Sequence, residues 1–234
     1  MSELLAAHPR RTRTIKTLVT GALVGMLILG GGVSSATAAE ADLADSALEQ
    51  FRANLTSSAD IAAFDALTAA QQTELSAYLL GETDPLAELS DSSARSGDFE
   101  LRKSTTTTLT QPKATASATA AAATRTVSAW QSFLFAGITI SKTTVRETYY
   151  YSGANATRIA SYSCVVDANY DPFSTVTSSK SGAWVSSGRA TAECRVTVKR
   201  GVPTPWGQVS WSTASNIQYV AGNGSGSVTS HGWR

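Results

Sequence analysis

The sequence predicts a mainly β fold: a disulfide-stapled antiparallel β-sandwich, with a small barrel as the alternative, preceded by a small acidic helical segment and a Thr/Ala-rich linker. Three observations lead there. From Trp130 onward apolar and polar residues alternate with a period of two, the mark of strands with one buried and one solvated face. The only two cysteines, Cys164 and Cys194, fall on the apolar side of two such strands. Charge also divides the chain. Residues 39–100 carry two basic groups (Arg52, Arg95) against thirteen acidic ones, net −11, whereas residues 101–234 carry thirteen basic against four acidic, net +9. The formal net charge of +1 for all 234 residues hides this opposition.

The first element is a secretory signal over residues 1–38. Arg10, Arg11, Arg13 and Lys16 precede an apolar run from Thr17 to Val33, and Ala36-Thr37-Ala38 supplies small residues at the spacing signal peptidase needs. Glycines at 21, 25 and 30–32 weaken the run as a permanent anchor. Thr12, Arg13 and Thr14 follow Arg10-Arg11 where a twin-arginine signal has apolar residues, so the general secretory route is expected. The mature chain then starts at Ala39 and is secreted. An oxidising compartment makes a Cys164–Cys194 disulfide the default, worth roughly 3.5 kcal/mol for a loop of this length in the chain-entropy model.

Residues 39–100 read as helices. Leu43, Leu48, Phe51 and Leu55 fall near one helical face, and Ile61, Phe64 and Leu67 suggest a second short helix. Thr68-Ala69-Ala70-Gln71 is a capping box, Leu75, Tyr78 and Leu79 share a face, and Gly81 sits where a helix ends. About 50 residues bury too little surface to be stable alone. Residues 101–129, nearly all Thr, Ala and Ser after Lys103, are expected to be an extended or weakly structured linker.

The β domain spans 130–234. Arg189–Lys199 is the clearest strand, with Ala190, Ala192, Cys194, Val196 and Val198 on one face. Arg158–Val166 repeats the pattern with Cys164 on its apolar side. Further strands are expected over 133–140, 144–151, 174–177, 183–186, 208–213, 216–221 and 227–230. Turns are expected at Gly153, Asp171-Pro172, Ser181-Gly182, Gly201 to Pro205 and Gly222 to Gly226.

No catalytic constellation emerges. His231 is the sole mature histidine and no G-x-S-x-G elbow accompanies it. Carboxylates in the β domain are few, and Glu193 is expected on the solvent face of its strand. Asn54, Asn155 and Asn223 sit in glycosylation sequons, but the basic signal and Thr/Ala linker read as bacterial, which makes the sequons incidental. A hydrolase therefore ranks last, and no cofactor or metal is assigned. Asp167, Asn169 and Asp171 are spaced as in a calcium loop, yet Pro172 and Ser178 stand where an EF-hand has Gly and Glu; an Asp/Asn-rich turn explains them as well.

All five Trp and six of seven Tyr lie in the β region. Tyr149 and Tyr151 flank Tyr150, and Arg189, Arg195 and Lys199 occupy solvated strand positions. A basic, aromatic-bearing surface of this kind suits an anionic cell-wall polymer, a glycan or a membrane surface outside the cell, rather than nucleic acid. It also suits internal docking of the acidic helices. Two functions follow as expectations: a secreted non-catalytic β domain that binds an extracellular or cell-envelope polymer, or an exported antimicrobial or toxin-like effector whose residues 39–100 are an acidic pro-segment.

Overall fold

The computed structural model describes residues 34–85, 95–110, 123–204 and 207–234. The apolar run of the expected signal lies outside these residues, and the expected cleavage site falls at the start of the first helix. Three helices come first: α1 (Ser34–Asn54), α2 (Ser58–Asp65) and α3 (Ala69–Leu79). Nine strands follow: β1 (Arg95–Ser96), β2 (Phe99–Thr110), β3 (Thr124–Phe135), β4 (Ile138–Ser152), β5 (Asn155–Asn169), β6 (Ser174–Ser186), β7 (Arg189–Thr204), β8 (Gly207–Asn223) and β9 (Val228–Trp233).

The strands form two antiparallel meanders, β1-β2-β3-β4-β5 and β6-β7-β8-β9, which face each other without closing into a barrel. Alternation decides which side is inside. Val127 and Ala129 of β3, Val145 and Tyr149 of β4, Ala190, Ala192 and Cys194 of β7, and Val220 of β8 form one buried cluster between the sheets. Cys164 on β5 joins Cys194 on β7 across this layer, with Cα atoms 5.6 Å apart. The disulfide thus links the last strand of one sheet to an inner strand of the other, as the period-two pattern predicts.

The helices close one end of the sandwich. Ala47 and Phe51 of α1, with Leu55 just beyond its end, recur every four residues, and Leu75, Tyr78 and Leu79 of α3 at i, i+3 and i+4, so each helix buries a single stripe. These stripes meet Phe99, Phe133, Phe135, Ile138 and Ile140 in one core. Tyr78 packs 5.2 Å from the Phe99 ring and 5.6 Å from that of Phe133. Leu43, expected on the buried face of α1, is instead 61% exposed, because it lies a turn outside the stretch that reaches this core. The capping box forms, with Gln71 N donating to Thr68 Oγ1 (3.3 Å) and Thr68 N to Gln71 Oε1 (3.1 Å). After α3, Gly81 N donates to the Tyr78 carbonyl and Glu82 N to that of Ala77, which completes a Schellman end.

Four sequence expectations are corrected. The stretch read as a linker contains β2 and β3, which pair over their full length from Phe99↔Phe135 to Thr110↔Thr124; residues 111–122 lie outside the description. A repeat of Thr has no hydrophobic contrast, so its strand is silent in the pattern. The strand expected over 133–140 is two strands, broken by a turn at Ala136-Gly137 where both φ values are positive (46° and 86°), the backbone of a tight hairpin. Ser181-Gly182 is no turn but a bulge inside β6, and the true turn is Ser187-Gly188, again at positive φ. The segments 208–213 and 216–221 are one continuous strand, β8.

Candidate functional site

The residues singled out by sequence do not converge. Tyr149 is fully buried between the sheets, its hydroxyl donating to the Asn223 carbonyl at 2.6 Å, so it offers nothing to a ligand. It is inward because it continues the Val145 line of β4, which the sheet register dictates. Tyr151 is half-buried under the Arg125 guanidinium, 4.4 Å from its ring centre. Arg189, Arg195 and Lys199 are exposed on the outer side of β7, but Arg189 and Lys199 are ten residues apart on one strand, about 33 Å. Glu193, expected in solvent, is mostly covered and ion-pairs with Arg234.

The calcium trio also disperses. Asp167 accepts from Thr144 Oγ1, Asn169 bonds Ser174, and Asp171 is buried against Arg200. Among the described residues no group of three or more His, Cys, Asp or Glu is placed to hold a metal ion. Burial pushes the Asp171 carboxyl up, with Arg200 opposing. Tyr78 donates to Asp171 Oδ2 at 3.3 Å, and the Arg200 guanidinium lies 3.8 Å from the Tyr78 ring centre and donates to the Tyr78 carbonyl. These three residues join α3 to the sheets and have no access for a ligand.

A different set does converge, on the outer face of the first sheet. Antiparallel register places outward side chains in cross-strand rows: Thr108–Thr126–Thr148, then Thr106–Ser128–Arg146, then Ser104–Trp130–Thr144. All of these residues but Ser104 line an open groove of about 570 Å³, together with Lys142 and Asp167. The Lys142 ammonium sits 4.7 Å from the Trp130 ring centre, and Arg146 is exposed in the middle row. Thr126 and Thr148 share a hydrogen bond of 2.9 Å, which holds their hydroxyls in register while each keeps further bonding capacity. The surface therefore combines an aromatic ring, two cations and a lattice of hydroxyls. It can stack a ring, pair with an anion and exchange hydrogen bonds with a hydroxylated ligand.

Sequence reading passed over this groove because half of it lay in the supposed linker. One signal was present: Thr126-Val127-Ser128-Ala129-Trp130 already alternates polar and apolar, which places Thr126, Ser128 and Trp130 on one face.

The sandwich interior holds polar groups of its own. Glu147 is fully buried and neither carboxyl oxygen has a hydrogen-bond partner; burial pushes its pKa up to about 8. Gln131 is unpartnered too, while Gln218 donates to the Ala129 and Thr143 carbonyls. His231, on β9, is partly covered beside Val220, with Nδ1 unpartnered. Among the described residues no helix is long and apolar enough to cross a membrane. No family model, no curated protein and no solved structure matches this chain.

Proposed function

We propose that the β-sandwich is a non-catalytic binding domain for an anionic polysaccharide of the cell envelope or the extracellular space, held in the groove on the outer face of the first sheet. The observation that carries the reading is the convergence of Trp130, Lys142 and Arg146 with six hydroxyl side chains, Thr106, Thr108, Thr126, Ser128, Thr144 and Thr148, along one open groove. A polymer needs an open groove, its hydroxyls need a polar lattice, and its carboxylates or phosphates need a surplus of positive charge. Lys142 and Arg146 outnumber Asp167, the one acid at the groove. The disulfide and the meander hairpins hold the surface rigid, so little ordering entropy opposes binding. The disulfide is consistent with an oxidising location, and the expected signal would deliver the protein there.

The test is binding of the mature chain to alginate and to purified peptidoglycan sacculi across salt concentrations, with phosphatidylglycerol vesicles alongside. Replacing Arg146 by Ala removes a charge-assisted contact worth about 1.5–3 kcal/mol, so affinity for the polysaccharide should fall about tenfold or more. Capture by vesicles alone, or binding at low salt that is unchanged in W130A and R146A, overturns the proposal.

A further inference from the structure

We infer that the protein associates head to tail with further copies of itself, the arginine-bearing end of one sandwich docking on an acidic stripe of helix α1 of the next. The inference does not depend on the groove or its ligand.

The sandwich carries its arginines at the end away from the helices. β4, 15 residues and about 50 Å long, starts at Ile138 in the core shared with the helices and ends at the opposite pole. Three hairpin turns lie together at that pole. Ala156 N donates to the Gly188 carbonyl at 2.8 Å, and Gly224 N to that of Ala154 at 2.9 Å. A Cβ on Gly188 would overlap the Asn155 side chain, and one on Gly224 the Asn155 backbone, so both glycines are needed for this close approach. Arg125, Arg158 and Arg189 surround the turns. Arg125 Nε donates to the Gly224 carbonyl at 3.3 Å while its guanidinium lies over the Tyr151 ring. The Arg158 guanidinium lies 4.3 Å from the Tyr150 ring centre, and Arg189, cross-strand from Asn223, is exposed. A ring holds the flat face of a guanidinium and leaves N–H groups at its edge for a carboxylate. Among the described residues no carboxylate pairs with any of the three. The sequence joining Thr110 to Thr124, whose ends lie at this pole, holds no acidic residue.

Helix α1 supplies the counterpart. Asp42, Asp45 and Glu49 recur at i, i+3 and i+7, so they share one face, opposite the Ala47 and Phe51 stripe that enters the core. All three are exposed, and no cation pairs with them among the described residues. Leu43 beside them is 61% exposed. Within one molecule the length of the sandwich separates this stripe from the arginines by several times the screening length, about 8 Å at physiological salt. In a second copy the two surfaces can meet, three acids against three arginines. Such a contact joins unlike surfaces and leaves one of each free at the ends, so association continues into an open chain of copies. Exposed ion pairs are individually weak, which makes the chain reversible and sensitive to salt.

Sedimentation velocity of the mature chain over a concentration series, at low and at high salt, tests the inference. At low salt the weight-average sedimentation coefficient of the wild type should rise with concentration, and at high salt it should stay at the monomer value. R158E combined with R189E should remain monomeric at low salt, and so should D42K combined with D45K and E49K, each with an unchanged circular dichroism spectrum. Mixing the two variants should restore association, because the reversed stripe of one meets the reversed end of the other. A wild type that is monomeric at every concentration at low salt overturns the inference. Association retained by either variant, or a mixture that stays monomeric, overturns it too. Phosphatidylglycerol vesicles that bind a monomeric wild type, and lose it in R158E with R189E, assign the arginines to an anionic lipid surface and overturn self-association.

Discussion

Glu147 gives the sharpest quantitative test of the fold. Its carboxyl sits between the sheets, fully buried and without a hydrogen-bond partner. Desolvation raises its pKa from 4.5 to about 8. Below pH 4.5 the group is protonated whether the chain is folded or not. As pH rises, the unfolded chain releases the proton near 4.5 while the folded chain keeps it up to about 8, so unfolding releases a proton and stability falls with pH across that window. At about 1.4 kcal/mol per pH unit, the decline reaches about 5 kcal/mol by pH 8. Glu147→Gln removes the titration and keeps the shape. The amide's own burial cost does not change with pH, so it offsets the two curves without altering their slopes. Guanidinium unfolding of both proteins, followed by tryptophan fluorescence at intervals from pH 4 to 8.5, should show the variant gaining several kcal/mol on the wild type as pH rises. Asp171, whose pKa is also raised by burial, titrates in both proteins and cancels in the difference. Tyr149, pushed up to about 12 chiefly by burial, titrates above the range. Stability curves that run parallel through this interval refute the claim that Glu147 is buried and unpartnered.

Two further outcomes are expected. Cys164→Ser with Cys194→Ser, which opens a cross-link spanning 30 residues between the two sheets, should lower unfolding free energy by about 3–4 kcal/mol with little change in the folded-state circular dichroism; an unchanged denaturation midpoint contradicts the staple. An effector released from an acidic pro-segment, residues 39–100, requires the helices to leave the β domain. Phe51, Leu75, Tyr78 and Leu79 share a core with Phe99, Phe133, Phe135, Ile138 and Ile140, so a protease cut engineered within residues 86–94 should leave the helices bound on a sizing column; spontaneous separation in native buffer refutes that.

How much of this was legible follows from contrast along the chain. Cys194 on an alternating strand gave both the inward direction of the disulfide and the antiparallel class, because Ala, Cys and Val stand against Thr, Glu, Arg and Lys. The Thr68–Gln71 capping box was equally readable, since both halves of it lie within four residues. Tyr149 was not. Three consecutive tyrosines carry no contrast, and only cross-strand register, with Val127 opposite Glu147, fixes which ring is inside. Glu147 itself contradicts the pattern, since a charged residue marks the buried face. The groove was hidden for the same reason as β2: threonine is a strand former that says nothing about which face is wet. The charge division changes meaning as well. The helices meet the sheets through aromatic packing, hydrogen bonds such as Thr56 to Tyr170, 2.7 Å, and the buried Asp171–Arg200 pair at Tyr78, not through a pairing of the acidic helices with the exposed basic face. Of the four carboxylates beyond residue 100, Glu147 and Asp171 are buried, Glu193 holds Arg234 and Asp167 holds Thr144. Asp167 alone of the four is exposed and keeps its charge towards solvent, against the exposed Arg146, Arg189 and Arg195. The surplus on the outer faces is positive, which supports the anionic ligand proposed for the groove.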